Sequence, residues 1–204
     1  MEVSKKITDS QIRALAREFG IEKVAALRAV IEVECRGNGF LPNGEPVILY
    51  ESFWAYRLIR AKNQLASEQL ANTYPDLFTR QAPRSYGKMS EQHSKLQRAR
   101  AALDIFKNGS LALQSCSWGM GQVMGFNYEV AGFTNFQSFI NAMFADEYQQ
   151  VKAMLNFIKN KGLVKHMNAR NWAEFAEVYN GSNYRRFKYD EKLAAAYTKN
   201  LKLE

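Results

Sequence analysis

Two glutamates, Glu34 and Glu51, stand seventeen positions apart in a chain of 204 residues. Glu34 ends an apolar run in which Leu27, Val30 and Ile31 share one helix face with it. A carboxylate at the end of such a stripe is partly desolvated, which favours a neutral proton donor. Gly37 and Gly39 follow, and glycines there would let a ligand approach the backbone closely. Glu51 comes after the strand-like segment Val47 to Tyr50, so a ribbon folding back over the helix end could set it across a cleft from Glu34. Paired carboxylates of this kind suit glycosidic cleavage: one protonates the leaving oxygen, the other directs water or supports positive charge. Each also has a structural alternative. Glu34 would be a buried carboxylate bonded to loop amides, and Glu51 a favourable charge at the start of the next helix. Glu32 differs, because it lies four residues after Arg28 and reads as a solvated ion pair.

From Ser115 to Gly125 the chain reads Ser-Cys-Ser-Trp-Gly-Met-Gly-Gln-Val-Met-Gly. Three interleaved glycines make a poor helix and a poor strand, and a tight turn beside a ligand accounts for them. In that turn Gln122 offers a donor and an acceptor, and Trp118 a flat apolar face for a sugar ring. Close packing between helices is the alternative. No Gly-Lys-Ser/Thr follows, so this is not a phosphate-binding loop. Tyr179-Asn180-Gly181 closes a helical stretch, where Asn-Gly is also an ordinary helix stop.

The elements that must carry these residues are mostly helical. Asp9 or Ser10 can cap a first helix bearing Ile12, Leu15 and Phe19, ended by Gly20, and a second runs from Ile21 to the glycines after Arg36. Asn43-Gly44 predicts a small edge hairpin between Phe40 and Tyr50, and Ser52 starts another helix. Residues 63–86 read as irregular or as short helices. Further helices are expected at roughly 90–106, 109–116, 135–161, 170–178 and 186–200.

Composition narrows the function classes. With 28 Lys and Arg against 20 Asp and Glu, the chain carries a formal charge of +8, which fits an anionic partner such as nucleic acid, membrane or wall polymer. A hydrophobic fraction of 47% excludes a disordered chain. No apolar run is long enough to span a membrane, and no signal peptide is visible at the start. His93 and His166 are the only histidines and no C-x-x-C pair exists, so a metal site is not expected. Cys35 and Cys116 read as buried free thiols, although one bridge between them stays open.

Glu34 after its apolar helix, the Ser117 to Gly125 block and Tyr179-Asn180-Gly181 together resemble the three signatures of goose-type lysozymes and lytic transglycosylases. More closely, Val33-Glu34, Gly37-Asn38-Gly39-Phe40, Ile48-Leu49-Tyr50-Glu51 and the Ser-Trp-Gly block are similar to the N-acetylmuramidase domain of phage endolysins. The resemblance runs from about residue 21 to residue 200. It implies a mainly α (α+β), lysozyme-like helical domain with a small β-hairpin lining the active-site cleft. A single catalytic domain over residues 1–204, with no separate wall-binding module, is the expected organisation.

By the same resemblance, the chain would hydrolyse the β-1,4 bond between N-acetylmuramic acid and N-acetylglucosamine in peptidoglycan and so lyse a host cell. Glu34 matches the catalytic acid, Glu51 the second acidic residue and Tyr86 the tyrosine that assists. Ser117, Trp118, Gly119, Gln122, Tyr179 and Asn180 match the substrate-binding cleft. Cys35 departs from the pattern, standing where the family has Ser or Thr. No cofactor is implied. The expected partner is the peptidoglycan strand, with electrostatic contact to the anionic envelope, no specific nucleic acid and a monomeric state. Without a signal peptide the protein would wait in the host cytoplasm for holin-dependent release to the periplasm and wall. Two alternatives remain: a lytic transglycosylase giving 1,6-anhydro products, and a non-catalytic basic binder of glycan or nucleic acid using Trp54, Trp118, Trp172 and Tyr184.

Overall fold

Short polar side chains open several of the helices. Thr8 accepts from the Gln11 backbone N–H while the Gln11 side chain accepts from Thr8 N, a capping box that starts the first helix one residue before the expected cap. The computed structural model describes residues 4–35 and 37–204. In chain order these form α1 (Asp9–Glu18), α2 (Val24–Glu34), β1 (Ile48–Tyr50), α3 (Ser52–Lys62), α4 (Gln64–Thr73), α5 (Gln92–Asp104) and α6 (Gly109–Gln114). Then come β2 (Cys116–Trp118), β3 (Val123–Met124), α7 (Phe136–Ala145), α8 (Glu147–Asn160), α9 (Val164–Ala169), α10 (Trp172–Asn180) and α11 (Tyr189–Leu201).

The continuous helix expected over 135–161 is two helices. Asp146 takes an extended backbone and accepts from Gln149 N, so it ends α7 and caps α8 at once. The short helix α9 falls in a stretch where no helix was expected, and α4 is one of the short helices anticipated between 63 and 86.

The chain divides into two compact units. The first takes Met1–Pro46, Gly119–Val123 and Asn127–Glu204. Here α2 packs along α11, α10 packs on α11, and α7 packs on α8. Leu15, Leu27, Val30, Leu155, Phe175 and Leu193 are fully buried in it. The Arg28–Glu32 pair expected from spacing does not form. Arg28 bonds Asp9 of α1, whereas Glu32 bonds Lys199 at 2.9 Å and Asn200 at 3.0 Å, because α11 lies against that face of α2.

The second unit takes Val47–Trp118 and Met124–Phe126, with α5 packed on α6 and β1, and α3 on α4. Its sheet has the order β1-β2-β3, and β1 runs antiparallel to β2 with Ile48 opposite Trp118 and Tyr50 opposite Cys116. The expected hairpin within 40–50 is therefore corrected: Phe40 and Pro46 share one isolated bridge, and Ile48–Tyr50 finds its partner in Cys116–Trp118. Pro46 has no N–H to extend a ladder. Both cysteines are free and buried. Among the described residues no helix is long and apolar enough to cross a membrane.

Candidate active site

The two glutamates belong to different units, and each has its own surroundings. Glu34 is the last residue of α2, and Asn180, the last residue of α10, donates Nδ2 to its Oε2 at 2.9 Å. The carbonyl oxygen of the Asn180 side chain is buried with no hydrogen-bond partner among the described residues. Successive residues on a helix point about 100° apart, and Tyr179 accordingly reaches a different target. Its hydroxyl donates to Gly121 O at 2.9 Å, and its ring stacks on Phe175 with centroids 5.4 Å apart. Burial, together with the negative charge of Glu34, pushes the Tyr179 phenol well above its ordinary range. The end of α10 thus holds both Glu34 and the glycine turn, a better account of Tyr179-Asn180-Gly181 than a helix stop alone.

Residues 119–122 form the tight turn anticipated from their glycines. Gly119 has φ +64°, Gln122 N donates to Gly119 O, and the Gln122 side chain donates to the same carbonyl at 2.8 Å. The reason for the glycines, however, is packing. A Cβ on Gly119 would lie 2.7 Å from the Gln150 side chain, and one on Gly121 would lie 2.6 Å from Met154. Gly39 is buried in the same way, since a Cβ there would overlap Gln150 Oε1. Its role is to admit α8 side chains, which corrects the expectation that Gly39 gives a ligand access to the backbone. Gly37 is exposed with φ +102°.

Sequence reasoning missed the two residues that use this space. Gln150 accepts from Met120 N at 2.9 Å and donates to Gly39 O and Met143 O, tying the loop after Glu34 to the glycine turn. Glu147, 2% exposed, accepts from Gly39 N at 3.0 Å, Lys6 Nζ at 2.9 Å and Ile7 N at 3.1 Å. The available signal was two polar residues, three apart, on the helix face that also carries Val151 and Met154.

In the second unit Glu51 occupies the N-cap of α3 without making a capping bond through its side chain. Burial raises its carboxyl to about 7 against the opposing influence of a hydrogen bond from Tyr86. Tyr86 is itself pushed to about 12, by burial first and then by the Glu51 charge. The structure therefore joins two of the three expected catalytic residues. What joins them is Gln92, fully buried and also missed from sequence. It accepts from Tyr50 N at 3.0 Å, next to Glu51, and donates to Tyr86 O at 3.0 Å and Lys88 O at 2.9 Å. Lys95 Nζ donates to the same Tyr86 carbonyl. A cavity of about 380 Å3 opens beside Tyr86, lined also by Tyr50, Ser52, Asp76 and Lys95 among others.

Trp118 requires correction. It is 1% exposed and its indole N–H donates to Leu113 O at 3.0 Å, so it is a core residue of the middle strand and presents no face to a sugar. Ser117, on the same strand, and Gly119, against Gln150, are buried too. Gln122, Tyr179 and Asn180 keep partial exposure. Of the four aromatics considered for a basic binder, Trp172 and Tyr184 are also buried, which leaves Trp54 with open surface.

Comparison with known proteins accords with these features. The family model described as "Muramidase: N-acetylmuramidase" matches residues 23–201. The crystal structure of the Burkholderia AP3 phage endolysin is similar with a TM-score of 0.84 and 33% identity, over 99% of this chain and 74% of that one. No curated protein matches. The mainly α, lysozyme-like fold with a little β structure is therefore as expected. Glu34, the glycine turn and Tyr179-Asn180 all lie inside the span of that family model, and the chain belongs to the N-acetylmuramidase family.

Proposed function

We propose that this chain is an endolysin that cleaves the β-1,4 bond between N-acetylmuramic acid and N-acetylglucosamine of bacterial peptidoglycan. Glu34 gives its proton to the bridging oxygen as the bond to the muramic acid C1 breaks and positive charge develops there. Glu51, ionised, takes a proton from the water that adds to C1, and Tyr86 holds the Glu51 carboxylate by its hydrogen bond. The observation that carries the reading is the pairing of Glu34 with Asn180 at the ends of α2 and α10, in a chain of the muramidase family. Glu34 also sits at the carbonyl end of α2, where the helix dipole disfavours a negative charge. Gln122 and Tyr179 contribute to the glycan-binding surface around Glu34. The net charge of +8 assists adsorption to the anionic envelope, after release from the host cytoplasm by a separate factor.

Digestion of purified peptidoglycan, with the products read by mass spectrometry, tests this. Reducing muramic acid ends are expected, and Glu34→Gln should lower the rate by about 100-fold or more with an unchanged circular dichroism spectrum. Reducing N-acetylglucosamine ends would overturn the bond assignment. Products that carry 1,6-anhydro ends would overturn hydrolysis, and an active Glu34→Gln would overturn the acid.

A further inference from the structure

Trp118 cannot serve as a sugar platform, but α3 carries another aromatic surface. Trp54 stands three residues after Glu51, which places it one turn along from the N-cap on the same side of the helix. Its ring packs on Phe126 with centroids 4.8 Å apart at 50°, and the Phe53 ring centre lies 6.0 Å from it. All three rings are partly exposed, whereas Ser52, Ala55, Tyr56 and Ile59 supply the buried face of α3. Arg57, one turn on, is exposed and rests its guanidinium 5.0 Å from the Trp54 ring centre and 5.6 Å from that of Phe53. It enters no ion pair among the described residues. Arg60 and Lys62 continue the positive charge along the last turn.

A partly exposed indole beside an exposed guanidinium that rests against its ring and enters no ion pair among the described residues combines two kinds of recognition. Aromatic faces receive the apolar side of a ring, and a planar guanidinium receives a carboxylate through paired hydrogen bonds. Peptidoglycan offers both together, since a pyranose carries a lactyl-linked peptide with free carboxylates. We infer that Trp54, Phe126 and Arg57 form a glycan-binding subsite in which the indole receives a sugar ring and Arg57 a carboxylate of the attached peptide. This rests on the muramidase reading and names which part of the substrate the second unit holds.

Tryptophan emission isolates the platform. The chain has three tryptophans, and Trp118 and Trp172 are only 1% and 6% exposed, so a glycan laid on Trp54 reports almost alone. In the Glu34→Gln protein, chitohexaose (peptide-free) and soluble peptide-bearing peptidoglycan fragments should each give a saturable emission change, lost in Glu34→Gln/Trp54→Phe. Arg57→Met should weaken binding of the peptide-bearing fragments by about 3- to 10-fold and leave chitohexaose unaffected. In the active protein, Trp54→Ala should raise KM by about 3- to 10-fold with kcat nearly constant. An emission change that persists without Trp54, or an unchanged KM in Trp54→Ala, overturns the platform. Equal losses for both ligands in Arg57→Met overturn the carboxylate contact. Hydrolysis of peptidoglycan by the unmodified chain is scored separately, so a failed platform is distinct from a failed muramidase reading.

Discussion

The phenol of Tyr86 donates a hydrogen bond to the carboxyl of Glu51, and burial still lifts that carboxyl to about 7. The two influences oppose each other: burial disfavours the charged form, and the hydrogen bond favours it. If Glu51 works as the ionised partner, activity rises with pH through about 7. Tyr86→Phe removes the stabilising donor, so this limb should move upward by about one unit. A pH–rate profile of kcat/KM checks it, and a limb that stays or moves down would exclude the assigned coupling.

The same burial predicts a stability effect of definite sign. Glu51 has a folded value near 7 and an ordinary value of 4.5, so the folded state binds the extra proton between them. Stability contributed by the neutral form is present below pH 4.5 and is lost as pH rises through about 7. Glu51→Gln should therefore be more stable than the natural chain at pH 8.5, by an amount on the order of 2–3 kcal/mol, and nearly equal to it at pH 4. Urea unfolding at the two pH values measures the difference.

Gln92 occupies a fully buried position and satisfies three backbone groups. Gln92→Leu leaves Tyr50 N without that acceptor and removes a donor from the carbonyls of Tyr86 and Lys88. A loss of about 2–4 kcal/mol is expected in denaturant unfolding. Because the change also frees the Tyr86 loop from the strand before Glu51, the pH limb of residual activity should resemble that of Tyr86→Phe. A destabilised variant with an unshifted limb would confine Gln92 to packing.

Gly39→Ala tests the brace in the first unit. The added methyl would meet Gln150 Oε1, Glu147 Cγ and Met120 Cγ, all on side chains already engaged or closely packed. We expect a loss of about 1–3 kcal/mol. Gly37→Ala meets no atom within 4 Å and is strained only by its positive φ, so it should cost about 1 kcal/mol. Thermal unfolding of the two variants compares them directly.

The sequence alone determined the local features. The apolar stripe and the glycines after it placed Glu34 at the end of α2, as found, because both signals act within a turn or two of the helix. The helix starting at Ser52 and the tight turn at 119–122 were legible for the same reason. Tertiary structure decided whatever depended on contacts distant in sequence. Ile48–Tyr50 pairs with a strand that begins more than sixty residues later, so turn chemistry at Asn43-Gly44 could not reveal its partner. Glu32 lost Arg28 to α1 and gained α11, since a neighbouring helix outcompetes a solvated pair worth a few tenths of a kcal/mol. Trp118 and Trp54 are both tryptophans near suggestive neighbours; only folding, which encloses Trp118 in the sheet and leaves Trp54 on α3 partly exposed, decides which ring keeps any surface. The polar braces Gln92, Glu147 and Gln150 were illegible for the same physical reason: a buried amide or carboxylate is defined by backbone groups that folding brings to it.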